Sequence, residues 1–190
     1  MTRAERGDAG GDGSGHRGGE WERMTQDDGP GFEIDHGHAD YTAGELLEQA
    51  QANAQASIIA TVAFLRDQTI DLSDWTTSVG QTFARSWEEP REWDAGEFMD
   101  AMLTNYRALG ATIHSVNLDP ARAEAITTGF PDPDLCHVFG VDVADAARFN
   151  DATGVIAAER GLLWSWNLEG LETHFAVVVR DDDVAVADEP

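Results

Sequence analysis

Few residues in this chain have chemistry to offer: Cys136 and His137, His114, His174, and the pair Glu159-Arg160. Cys136 is the single cysteine, and its thiolate could act as a nucleophile. The adjacent His137 cannot be its base, because consecutive side chains of a helix diverge by about 100° and do not meet. A base would have to come from another element, and His114 and His174 are the candidates. The same three residues, His114, Cys136 and His174, could instead converge on zinc with a water as fourth ligand, although no ligand spacing ties them together. Each has a structural role to weigh against this: Cys136 as a small apolar side chain packed beside Leu135 and Phe139, His174 as a hydrogen-bonded surface histidine. Other chemistries are excluded by motif. Gly-Gly-Asp-Gly-Ser-Gly at 10–15 lacks the preceding strand, the following helix and the lysine of a phosphate loop. Neither a Gly-x-Ser-x-Gly elbow nor a His-Glu-x-x-His helix is present. One cysteine leaves no intramolecular disulfide, multi-cysteine zinc site or iron-sulfur cluster within the chain. The residues name no metal and no cofactor.

Two of these candidates fall on the stretch from Gly154 to Val179, two β-rich runs broken by Glu169-Gly170, which predicts a β-hairpin. With Glu169 and Gly170 as the loop, Trp164 lies opposite Phe175, Trp166 opposite Thr173 and Leu162 opposite Val177. These share the face to be buried. The other face carries Ser165 opposite His174, Asn167 opposite Glu172 and Leu163 opposite Ala176, and is free to hold polar groups.

Upstream the period is helical. Thr42 and Glu45 form a capping box ahead of Leu47, Ala50, Ala54, Ile58, Val62 and Leu65, a stripe of roughly seven turns. A second helix is expected over 73–88, with Leu72, Trp75, Val79, Phe83 and Trp87 on one face and Pro90 as its stop. Trp75 and Trp87 at this spacing read as core rather than as a ligand-stacking pair. The third helix starts at Asp94, presents Phe98, Met102, Tyr106 and Leu109, and ends at Gly110. Beyond it the period drops to two over Thr112–Asn117 and Ala123–Thr128. The Leu-Asp-Pro-Ala turn between them could alternatively start a short helix through Arg122 and Ala125. Pro-Asp-Pro-Asp at 131–134 opens a short helix with Leu135, Cys136, Val138 and Phe139, and another is expected over 143–150 before the hairpin.

Helices followed by hairpins predict an α+β fold, with N-terminal helices packed on one face of an antiparallel sheet. Trp164, Trp166 and Phe175 would lie beneath Trp75, Phe83 and Phe98. The expected organisation is a Gly-rich, charged, disordered leader at 1–38, a single domain at 39–180 and an acidic tail at 181–190. Nothing ahead of Met24 reads as structured, which makes Met24 a candidate start. His36 and His38 read as solvated.

The succession Asp134-Leu135-Cys136, Glu159-Arg160, Leu168-Glu169-Gly170 and His174-Phe175 resembles the C-terminal part of the L-2-amino-thiazoline-4-carboxylic acid hydrolase-like family. The 4-vinyl reductase-like ligand-binding domains share the pattern more distantly. The resemblance spans roughly the last 50 residues and implies a small-molecule site or hydrolysis of a small amide or thiazoline. His174 stands where the family has a final-strand cysteine, so only Cys136 and Arg160 carry over.

The charge is extreme: 36 acidic residues against 12 basic ones, all of them Arg, for a net charge of -24. A surplus of this size opposes compaction unless salt screens it, and the composition matches adaptation to molar internal salt. It argues against a nucleic-acid or anionic-membrane partner. The chain has no apolar run of membrane-spanning length and no secretory signal, so a soluble, cytoplasmic protein is expected. The leading expectation is a binding or sensory domain with a mainly apolar pocket among Trp75, Phe83, Tyr106, Trp164 and Phe175, and His114, Arg160 or His174 at its polar rim. A small hydrolase using Cys136 or a metal-bound water, and a homodimer formed through an exposed tryptophan face, are the other readings. One expectation follows from charge alone. Diluting salt from molar to about 0.1 M lengthens the Debye length from about 3 to about 10 Å, so the melting temperature should fall across that range; an unchanged value would remove the salt-adaptation reading.

Overall fold

The computed structural model describes residues 41–86 and 92–180. The expectations for the leader with Met24, His36 and His38, for Trp87 and Pro90, and for the acidic tail concern residues outside these.

α1 (Ala43–Asp67) opens with the expected box: Thr42 Oγ1 accepts from the Glu45 amide at 3.2 Å, and the Glu45 carboxylate accepts from the Thr42 amide at 2.8 Å. Its buried face differs from the expected stripe. Gln55, Ile59, Val62 and Leu65 are buried, whereas Leu47 is 57% exposed. The face is displaced toward Gln55 because backbone groups of other segments bind that side chain. α2 (Leu72–Ser86) is displaced in the same way: Leu72, Thr76, Gly80 and Ala84 are buried, Trp75 is half-buried and Phe83 is 47% exposed. Here the cause is a close helix contact. A Cβ at Gly80 would lie 2.6 Å from the Ala152 carbonyl oxygen and from Val155 Cβ, so only the small-residue face can meet α6.

α3 (Ala95–Ala108) is capped by Asp94, whose carboxylate accepts from the Glu97 amide at 2.7 Å. It buries Phe98, Met99, Met102, Leu103 and Tyr106. β1 (Thr112–Leu118) and β2 (Arg122–Thr128) follow as strands. The turn between them is set by Asp119 Oδ1, which accepts from the amides of Ala121 at 2.8 Å and Arg122 at 3.2 Å; the helical alternative is not taken. α4 (Pro133–Phe139) starts on an Asp132 cap, and α5 (Val143–Ala147) gives way to a 3-10 turn at Arg148–Asn150. Residues 154–158, read above as part of the first β-rich run of the hairpin, belong instead to helix α6 (Asp151–Ala158). The run Val155-Ile156-Ala157-Ala158 has no two-residue alternation, and its helix packs between α2 and the sheet.

β3 (Leu162–Glu169) and β4 (Glu172–Val179) form the expected hairpin, but its register is two residues from the expected one. Trp164 pairs with Val177, Trp166 with Phe175 and Asn167 with His174. The loop is Gly170-Leu171, with Gly170 at φ +64°. A hairpin turn with one left-handed central residue wants glycine first, and that preference sets the loop one residue later than the Glu-Gly reading. Because the shift is even, every side chain keeps its predicted face.

The fold is α+β, and the sheet is antiparallel in the order β1-β2-β4-β3 with helices on one face. On that face Tyr106 stacks on Phe175 at 4.8 Å, Trp164 meets Phe175 at 5.0 Å, and Phe98 meets Trp164 edge-on at 6.1 Å. Phe98 thus covers the tryptophan as expected, whereas Trp75 packs against Phe149 and Phe83 points outward. A second apolar cluster joins Ile59, Val62 and Leu65 of α1 to Leu72, Cys136, Val141 and Ala146.

Gln55 links the segments around the two clusters. Its Nε2 donates to the carbonyls of Leu109 at 2.6 Å and Gly129 at 2.8 Å, while its Oε1 accepts from the Asp132 amide at 2.8 Å. Gln55→Leu keeps the approximate size but removes three bonds to backbone groups, each costing about 1–3 kcal/mol if left buried and unpaired. Urea or thermal unfolding should show a loss of about 3 kcal/mol or more; a loss under about 1 kcal/mol would show that these groups find other partners.

Candidate functional site

Alternation along four antiparallel strands leaves one sheet face packed on helices and one face polar. The polar face can be laid out from the register. One row across the strands runs Ser115, Ile126, His174, Asn167, and the next runs Asn117, Glu124, Ala176, Ser165. Their residues line an open hollow of about 490 Å³. Ile126 and Ala176 give it a small apolar floor, with hydroxyl, carboxamide and imidazole groups around them.

His174 stands at the centre of this face. Its ring Nε2 lies 3.5 Å from a Glu172 carboxylate oxygen and 3.7 Å from one of Glu169. Neither contact is a hydrogen bond, so this shielded nitrogen lies beside two carboxylates without a hydrogen-bond partner among the described residues. Asn167 Nδ2 donates to Glu169 Oε1 at 2.8 Å, which holds its amide over the outer strand. Glu124 is engaged by Arg122, with Nη2 at 2.7 Å and Nε at 2.8 Å. The charge around the hollow is therefore net negative.

The structure scatters the residues singled out by sequence. His114 is the extra residue of a bulge in β1, and its Nε2 lies 2.7 Å from Thr128 Oγ1 beyond one end of the hollow. Trp164 faces the helices, on the side of the sheet opposite His174. Arg160 sits after α6 and donates from Nη2 to the Ala84 carbonyl at 3.0 Å, beside Gln81, Arg85 and Glu159. Cys136 is only 1% exposed within the second apolar cluster. Burial, with a smaller contribution from Asp132, pushes its thiol pKa up, away from the thiolate form. His114, Cys136 and His174 do not converge, and among the described residues no three His, Cys, Asp or Glu side chains form a metal-binding group. The expected apolar pocket is filled by its own walls, since Tyr106, Phe175 and Trp164 pack on one another.

Sequence reasoning placed Ser165, Asn167 and His174 on one polar face but missed Ser115, Asn117 and Glu124. Their signal was the polar alternation of β1 and β2; the pairing of β2 with β4 that brings them alongside is not written in either strand. No protein-family model, curated protein or solved structure matches this chain.

The Cys136 environment makes a direct prediction. A maleimide or disulfide reagent at neutral pH should modify the folded protein slowly and the denatured protein at once. The proton held by the folded thiol also sets a sign. Above the ordinary thiol pKa the unfolded chain loses that proton first, so stability should fall as pH rises beyond about 8.5. Rapid labelling of the native protein would contradict the enclosed, protonated thiol.

Proposed function

We propose that this chain is a binding domain whose ligand occupies the hollow on the uncovered sheet face, and that the ligand is a small, neutral or cationic molecule rich in hydroxyl, amide or amine groups. The hollow itself carries the reading: about 490 Å³ with polar side chains converging from four strands, within the size range of small-ligand sites. The imidazole of His174 and the adjacent Asn167 and Ser115, all lining the hollow, suit a ligand with several hydrogen-bonding groups. Glu169, Glu172 and Glu124 weigh against an anion. A ligand-binding role agrees with what the resemblance to the 4-vinyl reductase-like domains implies. A hydrolase acting through Cys136 has less support, because the thiol is enclosed by apolar side chains.

The test is a panel of neutral, cationic and anionic polar compounds, screened by thermal shift in molar potassium chloride and confirmed by calorimetry. A true ligand at a hundred times its Kd adds about 2.7 kcal/mol, or roughly 5–10 °C for a domain of this size. His174→Ala and Asn167→Ala should each weaken binding about tenfold or more while leaving the unliganded melting temperature nearly unchanged, since both side chains lie on the solvent side of the sheet. A ligand bound equally well by both variants, or a preference for anions, would overturn the reading.

A further inference from the structure

β3 is an edge strand of the sheet, and its sequence lacks the devices by which edges are normally protected. It runs eight residues, Leu-Leu-Trp-Ser-Trp-Asn-Leu-Glu, in unbroken register with β4. It contains no proline, no bulge and no basic residue, and its one charge is Glu169 at the last position. The opposite edge differs: β1 is interrupted by the bulge at His114. Among the described residues no strand and no other backbone group pairs with the outer side of β3.

We infer that β3 pairs antiparallel with β3 of a second copy of this chain, joining two four-stranded sheets into one continuous sheet. The choice of partner rests on charge. Two chains of net charge -24 repel over most of their surfaces, yet Leu162–Leu168 carries no charge at all. A two-fold axis near Ser165, the middle of the strand, sends the two Glu169 side chains to opposite ends of the seam. There each faces the uncharged start of β3 in the other copy, and the two are about 25 Å apart, beyond the reach of screened repulsion. Parallel pairing would set them side by side. The seam also covers apolar surface. Leu163 is 49% exposed on the open face, and Trp164 and Trp166 are only half-buried on the other, as edge residues awaiting a neighbour would be. This inference stands apart from the ligand reading, since it concerns the strand edge and holds whether or not the hollow binds anything.

The experiment is the mass of the full chain in molar potassium chloride by sedimentation equilibrium, from micromolar to hundred-micromolar protein, with Ser165→Arg and Ser165→Glu alongside. Ser165 is exposed on the open face, so both variants should fold as judged by their circular dichroism. The unsubstituted chain is expected at the mass of two chains. Each variant alone sets like charges across the axis and should raise the dimer Kd about tenfold or more. Mixing the two variants should restore the dimer, because opposite charges then meet. Restoration in the mixture also shows that neither variant has failed to fold. An unsubstituted chain that stays at the mass of one copy throughout would overturn the proposal, as would variants that dimerise as well as the parent or a mixture no better than its components. The first of these outcomes would leave an extended segment of a different protein as the candidate for this edge.

Discussion

One carboxamide connects segments that are far apart in sequence. Gln55 receives the end of α3, the exit of β2 and the entry of α4 through two carbonyls and one amide. These backbone groups belong to tight connections at the junction of two apolar clusters, where an unpaired polar group is costly. A neutral carboxamide suits the task because it donates twice and accepts at its oxygen. A carboxylate would set negative charge against two carbonyl oxygens, and a cationic side chain could not accept from Asp132. Because the bonds fix the rotation of α1, they also decide which of its residues enter the second cluster. Ile59 and Val62 are fully buried, and Leu47 remains outside.

The division of the sheet into an aromatic side and a polar side follows from burial on the helical face. α3 places Phe98, Met102 and Tyr106 over the sheet, where Ala123 and Ala125 leave room on the central strand β2. Trp164 and Phe175 fill the space toward β3 and α6. Behind them α6 meets α2 through Gly80, an approach that any larger residue would block. With both helix layers on one side, the strand positions pointing the other way have no helix to meet among the described residues. Polar residues there cost little and remain available to solvent or a ligand.

The same arrangement puts charge and chemistry in different places. Among the described residues, Asp94, Asp119 and Asp132 sit at caps and turns, where each accepts backbone amides. Leu162–Leu168 is uncharged, and the polar groups at the hollow's centre are mostly neutral. In a chain with this surplus of negative charge, a neutral edge and a hollow lined by hydroxyl and amide groups are the surfaces where another molecule meets least repulsion.

Local physics in the sequence determined a large part of this structure. Capping residues located the starts of α1, α3 and α4, turn chemistry separated β1 from β2, and alternation assigned Leu162–Asn167 and Glu172–Val177 of the final hairpin to the correct faces. These features depend on neighbours a few residues apart, so a linear reading can recover them. What the sequence left open depended on distant partners. The buried face of α1 followed Gln55 and three remote backbone groups, and that of α2 followed the close passage of α6. The hairpin register followed the one loop position where glycine could take a positive φ. The candidate site was legible only as one polar hairpin face with His174, Asn167 and Ser165 on it. Its other half, from β1 and β2, came from antiparallel pairing of β2 with β4, and strand order is a property of the packed sheet because backbone hydrogen bonds are the same for every sequence.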